Sequence, residues 1–293
     1  MNRVIDHGRA ADATKMTVRR LSPVMGAEIV GLDLAQPLAH AQRAQVERAF
    51  NEHKVLCFRD QELSMDEFLA FSKSWGPLTE HTMPGLPRDG ITEVSIGSNA
   101  GPGGKRAGKH PDVTAMRWQT DRSWRVDPAV ATILYGVEVP NVGGDTLFAN
   151  CTMAYDALPA AMKERIADLF AIHSVEYSRN TGDGPKATGY ELRNHPPAPH
   201  PLARIHPVTG RRAIYCGCHA WKIQGMPEGE GRRLLDELLA FATQDAYIYR
   251  HKWRRHDMLM WDDRCTLHAA TPYDTSNELR TMYRTVVAGS RTH

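Results

Sequence analysis

Four short segments of this 293-residue chain carry side chains whose types and spacing could do chemistry. Gln119 and Asp121 stand two residues apart, so in an extended segment both side chains point to the same face and could converge on one ion. Thr146 follows a double-glycine turn 25 residues after Asp121, and Arg284 follows His268 by sixteen residues. The order and spacing of these five residues, rather than any one of them, indicate a site.

Each of these residues also has an ordinary structural interpretation. A Thr-Asp pair before a strand often forms a turn or a cap, and Thr120-Asp121 can be interpreted in this way. His268 is one of 14 histidines, and a hydrogen-bonded structural histidine is common. Arg284 alone would be read as a surface cation on a strand. These interpretations stay open as long as each residue is taken by itself.

Several longer segments resemble one known family over most of the chain. The combination is similar to the taurine dioxygenase and 2,4-dichlorophenoxyacetate dioxygenase family of iron(II)- and 2-oxoglutarate-dependent oxygenases. The segments that carry the resemblance are MGAEIVGLDL (25–34), WGPL (75–78), WQTD (118–121), GGDTLFAN (143–150), AYDALP (154–159), YRHKW (249–253) and MWDDRCTLH (260–268). The region from residue 223 onwards is most similar to the phenoxyacetate branch.

The resemblance implies a role for each residue of the site. His268 corresponds to the distal histidine and Asp121 to the carboxylate of a facial triad that binds Fe(II) and leaves open positions for 2-oxoglutarate and O2. Arg284 corresponds to the guanidinium that binds the far carboxylate of 2-oxoglutarate, with the hydroxyl of Thr146 donating to the same group. Asp121, His268 and Arg284 are therefore the implied catalytic residues, and Thr146 and Arg284 the implied cosubstrate residues.

The chain departs from the family at position 119, where Gln119 stands in place of the first histidine ligand. An amide oxygen is a weaker donor to iron(II) than imidazole. Gln119 can bind the metal weakly, or Asp121 and His268 can hold it with water or another donor. His110-Pro111-Asp112 has the His-x-Asp form, but WQTD aligns better with the family. The third alternative is a member that binds ligands without turnover.

Substrate contacts are less marked in the sequence. His81, six residues after Trp75, matches a substrate-contacting histidine of the taurine branch. Arg280 is expected to support the cosubstrate site, and Arg117 and Lys105 are possible partners of an anion by position alone. The implied substrate is a small organic anion, phenoxyalkanoate-like or sulfonate-like, which is hydroxylated while 2-oxoglutarate yields succinate and CO2. The alternative function is an impaired or non-catalytic member that binds 2-oxoglutarate or another small anion.

Composition excludes some other classes. With 36 basic and 34 acidic residues, the formal charge of +2 gives no reason to expect nucleic acid or a membrane as partner. The sequence has no apolar run of about 20 residues. Five scattered cysteines suit reduced thiols, and Cys216-Gly217-Cys218-His219 is interpreted as part of a strand rather than as a zinc site. A cytoplasmic protein is predicted, and a homo-oligomer is expected.

The elements that must position the site are numerous and short. Periodicity and capping signals predict helices at 39–53, 64–75, 160–171 and 228–243, and strands at 55–58, 91–97, 130–139, 145–149, 212–216, 246–253, 258–261 and 282–288, after two short strands within 17–34. This pattern predicts an α+β fold with a double-stranded β-helix, or jelly roll, core and peripheral helices.

The chain is predicted to form one oxygenase domain over residues 1–293. Residues 1–15 are expected to be flexible. Residues 98–116 and 177–201 lack periodicity and are rich in glycine or proline, so both are predicted to be active-site loops. Gly103, Gly108 and Lys109 stand at phosphate-loop spacing, but the residues that follow are His110 and Pro111, which disfavours nucleotide binding.

Overall fold

The computed structural model describes residues 16–80, 91–101 and 113–290, and within them the chain forms four β-sheets flanked by helices. The strands of the described part are β1 Thr17–Arg20, β2 Ala27–Val30, β3 Val55–Phe58, β4 Ser95–Ser98, β5 Ala131–Glu138, β6 Thr146–Asn150, β7 Phe170–His173, β8 Ala198–Pro201, β9 Ala203–Ile205, β10 Arg212–Ile214, β11 Ala220–Ile223, β12 Ile248–His251, β13 Met258–Asp262, β14 Thr266–Ala270 and β15 Thr281–Val287.

Most of the helices are short, and two lie early in the chain before the central strands. The α-helices of the described part are α1 His40–His53, α2 Met65–Lys73, α3 Cys151–Ala157, α4 Ala160–Ile166, α5 Val175–Asn180, α6 Gly189–Asn194 and α7 Glu228–Ala242. None of the helices in these described ranges is long and apolar enough to cross a membrane.

The largest sheet has seven strands in the order β1-β2-β3-β13-β5-β15-β4. Neighbouring strands are antiparallel except β2 and β3, which run parallel. Its centre is apolar on both faces: β3 and β13 are buried along their whole length, as continuous apolar runs predict. The Val55–Phe58 strand is therefore confirmed, and it lies beside β13 at the middle of the sheet.

A three-stranded sheet, β12-β6-β14, packs against this large sheet. Phe148 and Tyr249 of the small sheet share a buried cluster with Leu259 and Trp261 of β13. The chain passes directly from the large sheet to the small one between Asp262 and Thr266. A side chain at the end of β13 and one on β14 can therefore face the same space.

Helices α1 and α2 cover one face of the large sheet, and α3 and α7 pack against the smaller strands β10 and β11. Phe50 of α1 and Phe68 of α2 bury their rings against Phe58 and Ile133 of the sheet. The capping box predicted at the start of α2 is present, because the Ser64 hydroxyl accepts the backbone N–H of Glu67 at 3.3 Å. A second cluster joins α3 and α7 to β10 and β11.

The structure corrects two predicted regions. The helix predicted at 160–171 ends at Ile166, and Phe170–His173 forms strand β7, which pairs with β8 and β11. Residues 177–201 are not structureless: they contain most of α5, all of α6 and strand β8. Strand β14 was also missed, because no strand was predicted between residues 261 and 282. Both helices in the 177–201 region are too short for periodicity to mark them.

Candidate functional site

A two-residue bridge fixes the position of the first site segment. The backbone N–H of Gln119 donates to the carbonyl of His268 at 3.0 Å, and the His268 N–H donates to the carbonyl of Gln119 at 2.8 Å. The Thr120 hydroxyl donates to the carbonyl of Thr266 at 2.8 Å, which holds the segment along β14. The segment then turns at Asp121, so the structure brings together Gln119, Asp121 and His268 from distant parts of the chain.

The Asp121 carboxylate lies at the centre of the site. Its Oδ2 is 3.7 Å from His268 Nε2, and its Oδ1 accepts a hydrogen bond from Arg284 Nη2 at 2.6 Å. The Thr132 hydroxyl lies 2.7 Å from Oδ2. Burial by itself would raise the pKa of Asp121, but the charges of Arg284 and His268 and the Thr132 bond outweigh it and lower the pKa to about 2. Asp121 is therefore ionised at neutral pH.

Asp263 brings a second carboxylate into the site, and the sequence analysis missed it. Its Oδ2 lies 2.8 Å from Thr132 Oγ1, while its Oδ1 accepts the backbone N–H of Asp121 at 3.1 Å and the indole N–H of Trp261 at 3.2 Å. Burial, and then the charge of Asp121, raise the pKa of Asp263 well above its usual range.

Because the Thr132 hydroxyl has a single hydrogen and faces two carboxyl oxygens, one carboxyl must donate to it. Since burial and the charge of Asp121 raise the pKa of Asp263 while the pKa of Asp121 is lowered, the shared proton favours the carboxyl of Asp263. The Asp-Asp pair in the WDDRCTLH segment was the available sequence signal.

The side chain of Gln119 is buried and faces a turn that the sequence analysis misassigned. Its Oε1 is 3.8 Å from the Cys218 sulfur. Cys216 to His219 were predicted to belong to a strand, but strand β10 ends at Ile214 and they form a turn that packs on the Gln119 segment. Burial raises the pKa of the Cys216 thiol to about 12 and that of Cys218 to about 11, so both are protonated thiols. All five cysteines are free and buried.

Gly217 permits the close approach of this turn. Its φ is +135°, a backbone conformation that residues other than glycine rarely adopt. A Cβ at this position would lie 3.0 Å from Leu267 Cδ2 and 3.2 Å from the carbonyl oxygen of Trp118. The Cys218 N–H donates to that same carbonyl at 2.9 Å. The turn therefore supports the backbone that carries Gln119.

Three groups of potential metal ligands occur within the part of the chain that the structure describes. Asp121, Asp263 and His268 form one, with ligand atoms within 4.8 Å of one another. The other two, Cys57-His251-Asp257 and His206-Asp262-Cys265, lie at positions that the sequence did not predict. Their aspartates pair with Arg59 and Arg264, as Asp121 pairs with Arg284. Only the first group combines an ionised carboxylate, a histidine and the predicted positions, and its donors suit a divalent transition metal.

Thr146 and the two distal arginines lie on neighbouring elements. Thr146 begins β6, and its hydroxyl oxygen accepts the indole N–H of Trp253 at 3.0 Å. Arg284 lies on β15 and reaches Asp121. Arg280 is buried just before β15, with its Cδ 3.6 Å from where a Cβ of Gly144 would stand. Arg284 therefore contacts the carboxylate, and Arg280 lies beside the double-glycine turn.

The remaining predicted contacts have different outcomes. Arg117 donates to the Ser178 carbonyl at 2.9 Å and to Thr181 Oγ1 at 3.2 Å, so its guanidinium binds the C-terminal end of α5. His81, Lys105 and the His110-Pro111-Asp112 segment lie outside the described residues. The phosphate-loop spacing at 103–109 also lies outside them.

The chain is similar to known proteins in family, sequence and structure. The family described as "Taurine catabolism dioxygenase TauD, TfdA family" matches residues 17–286. The alpha-ketoglutarate-dependent 2,4-dichlorophenoxyacetate dioxygenase of Cupriavidus pinatubonensis is 35% identical over 270 residues, covering 89% of this chain and 94% of that protein. The (S)-phenoxypropionate/alpha-ketoglutarate-dioxygenase of Sphingobium herbicidovorans is 34% identical over 282 residues, covering 92% of this chain and 93% of that protein.

Solved structures are also similar to this chain over most of its length. The crystal structure of AAD-2 in complex with Mn(II) and N-oxalylglycine superposes with a TM-score of 0.83 at 35% identity, covering 94% of this chain and 98% of that one. A putative alpha-ketoglutarate dependent 2,4-D dioxygenase from Burkholderia xenovorans superposes with a TM-score of 0.80 at 32% identity, covering 93% of this chain and 97% of that one.

Proposed function

Because this chain belongs to the taurine catabolism dioxygenase TauD, TfdA family, we propose that it is an Fe(II)- and 2-oxoglutarate-dependent dioxygenase that hydroxylates a small organic anion with O2. Succinate and CO2 are the coproducts. The observation that carries the proposal is the convergence of Asp121, His268 and Arg284 in one buried site. Relatives named for phenoxyalkanoates and for sulfate esters support a phenoxyalkanoate-like or sulfonate-like substrate.

The residues present fit an iron ion. Asp121 and His268 would hold it, with the amide oxygen of Gln119 as the third protein ligand. The contacts that lower the pKa of Asp121 to about 2 keep that carboxylate deprotonated, as metal binding requires. When bound, Fe(II) couples O2 and the oxidative decarboxylation of 2-oxoglutarate to hydroxylation of a C–H bond. The protein holds the two substrates in place and excludes water.

The far carboxylate of 2-oxoglutarate is assigned to Arg284 and Thr146. Because Trp253 donates to the Thr146 oxygen, the hydroxyl hydrogen of Thr146 points elsewhere and is able to donate to a carboxylate. Arg280, beside Gly144, is the competing candidate for the guanidinium. The variants R284Q and R280Q separate the two, because the one that loses affinity for N-oxalylglycine identifies the residue that binds the distal carboxylate. His81 remains a proposed substrate contact.

A second candidate function is a protein that binds 2-oxoglutarate or another small anion without turnover. Gln119 is the observation in its favour, because its amide oxygen is a weaker donor than imidazole and lies beside the Cys218 thiol. In this case Asp121 and His268 would hold iron too weakly to support the reaction.

Anaerobic titration separates the two functions. With iron(II) present, the dioxygenase is expected to bind 2-oxoglutarate more tightly than without iron and to develop the visible charge-transfer band of a metal chelate. Equal affinity with and without iron, together with no band at high iron concentration, would support the binding protein instead.

We also propose a fold class, a domain assignment, a cellular location and an oligomeric state. The packing of Phe148 and Tyr249 on β13 and the direct crossing from β13 to β14 suit a double-stranded β-helix formed by the seven-stranded and three-stranded sheets. Residues 1–293 are assigned to one oxygenase domain, with 177–201 bordering the site. Of the predicted active-site loop 98–116, residues 102–112 lie outside the described residues. Cytoplasmic location and a homo-oligomer remain proposals, which cell fractionation and light scattering test.

A further inference from the structure

The side chain of Gln119 lies on the same side of the backbone as that of His268. The two residues are directly opposite each other in an antiparallel bridge and exchange both backbone N–H···O bonds, at 3.0 and 2.8 Å. Directly opposite residues of an antiparallel pair project to one face. On that face His268 Nε2 is 3.7 Å from Asp121 Oδ2. The amide of Gln119 therefore lies on the side where Asp121 and His268 meet.

The amide of Gln119 has two different ends, and only one of them can bind a cation. The oxygen carries two lone pairs, whereas the NH2 group carries two hydrogens and no acceptor site. The two ends have nearly the same shape, so packing alone does not choose between them. A hydrogen-bond donor beside the amide does choose, because it attracts the oxygen and not the NH2 group.

Cys218 supplies such a donor. Its thiol donates to the amide oxygen of Gln119, with 3.8 Å between Sγ and Oε1. Cys218 is a free cysteine and only 9% of it is exposed. Hydrogen bonds are electrostatically stronger where water is excluded, so even the weak S–H donor can orient an amide here.

Backbone contacts fix the position of this sulfur relative to Gln119. The N–H of Cys218 donates to the carbonyl of Trp118 at 2.9 Å. A Cβ on Gly217 would lie 3.4 Å from Gln119 Cα, which shows how closely the two backbones approach. The thiol and the amide are thus held together by main-chain contacts that do not depend on either side chain.

We propose that Cys218 is a positioning residue for the metal site, whose thiol holds the amide of Gln119 with its oxygen available to the metal ion. This inference rests on the proposed function, and it explains how a glutamine can serve where the family has a histidine. The carbonyl oxygen has two lone pairs, so it can accept the thiol hydrogen and bind a metal at the same time. Partners that orient a metal ligand in this way contribute to metal affinity.

Calorimetric titration with Mn(II) tests the proposal. Cys218→Ala removes the donor and is expected to weaken binding about three- to tenfold, the size of one lost hydrogen bond. Cys218→Ser supplies a hydroxyl donor in place of the thiol and should stay within about twofold of wild type.

Cys151→Ala is the matched control for Cys218→Ala. The Cys151 thiol is also buried and also donates to a carbonyl, that of Ala149, with 3.7 Å between sulfur and oxygen. Because this bond does not involve Gln119, Mn(II) affinity is expected to stay within about twofold of wild type.

A double-mutant cycle separates positioning from packing. In the Gln119→His background, residue 119 is an imidazole that binds a metal through one nitrogen and carries a hydrogen on the other, so it has no carbonyl to orient. Cys218→Ala is then expected to change Mn(II) affinity by less than about twofold. A loss caused by packing alone would be the same in both backgrounds.

Several results would overturn the proposal. They are unchanged or tighter Mn(II) binding in Cys218→Ala, an equal loss in the Gln119→His background, an equal loss in Cys151→Ala, or no recovery in Cys218→Ser. A thiolate-to-metal charge-transfer band in the wild type loaded with cobalt(II), absent in Cys218→Ser, would also overturn it, because Cys218 would then bind the metal directly.

If the wild type binds no Mn(II), the proposed function fails, and infrared spectroscopy of the metal-free protein tests Cys218 separately. The S–H stretching band that Cys218→Ala removes is expected to shift in Gln119→Leu, which lacks the acceptor. A shift supports the hold of the thiol on the amide oxygen, and an unshifted band overturns it.

Discussion

At the scale of single residues, the site contains two neighbouring carboxyl groups, those of Asp121 and Asp263, whose pKa values are shifted in opposite directions. The charges of Arg284 and His268 lower the pKa of Asp121 to about 2, whereas burial and the charge of Asp121 raise the pKa of Asp263. Thr132 joins the two carboxyl groups through one hydroxyl. The sequence predicted Asp121, His268 and Arg284 as site residues, and the structure brings them together. The role of Thr132 could not be predicted from the sequence, because it depends on contacts with two carboxyl groups that are distant along the chain or on another element.

Replacing Gln119 with histidine should strengthen the metal site. Imidazole is a better donor to a divalent transition metal than an amide oxygen, so Gln119→His is expected to tighten Mn(II) binding about tenfold or more. Calorimetric titration of the purified variant measures this. Gln244→His, at an exposed position outside the site, is the matched control. An unchanged affinity in Gln119→His would mean that residue 119 does not contact the metal.

Replacing Asp263 with asparagine should change how stability depends on pH. The folded-state pKa of Asp263 is raised, so its favourable contribution is complete below the unfolded-state pKa of about 4 and is lost as pH rises toward the folded-state value. The asparagine side chain cannot ionise and keeps the shape of the neutral acid. In urea unfolding of the metal-free protein, D263N is therefore expected to gain stability relative to wild type between pH 5 and pH 8. A constant difference at both pH values would show that Asp263 is already charged in the folded protein.

At the scale of elements, local sequence patterns predicted those strands and helices that local interactions stabilise. The apolar run at Val55–Phe58 and the capping box at Ser64 gave a strand and a helix that the structure confirms. Strand β14 was missed because its sequence is polar at the start and its register depends on β6. Helix α6 carried a readable signal, the capping box between Thr188 and Glu191, within a region interpreted as a loop. Strand β7 forms through pairing with distant β8 and β11, which no local pattern shows.

The turn at Gly217 offers a test of how β14 and the Gln119 segment are held. Gly217→Ala would place a Cβ 3.2 Å from the Trp118 carbonyl oxygen in addition to the cost of its positive φ, so a loss of about 1–3 kcal/mol of unfolding free energy is expected. Weaker Mn(II) binding should accompany it, because the backbone of Gln119 shifts. Urea unfolding and metal titration measure the two effects.

Gly225→Ala is the control for Gly217→Ala. Gly225 also has a positive φ, +75°, but no atom lies within 4 Å of an added Cβ. We expect a cost of about 1 kcal/mol and unchanged metal affinity. If the two variants behave alike, the approach of the Gly217 turn to Gln119 does not matter for the site.

At the scale of the whole molecule, the fold supplies what the individual motifs lack. Asp121, His268 and Arg284 are separated by up to 163 residues along the chain, and they meet because β14 lies in the small sheet, β15 in the large one, and the Gln119 segment bridges to β14. The resemblance in sequence implied that arrangement, and residues 17–286 match the family. Composition alone indicated only a globular protein of mixed structure.

The most direct test of the account is formation of succinate from 2-oxoglutarate, measured aerobically across a panel of phenoxyalkanoates, sulfonates and alkyl sulfates with and without added iron(II). The account predicts succinate that requires iron(II), increases with at least one acid of the panel, and disappears in both Asp121→Ala and His268→Ala. Absence of succinate at saturating iron with every acid, or the same succinate in wild type and His268→Ala, would contradict the assignment of this site as a dioxygenase centre.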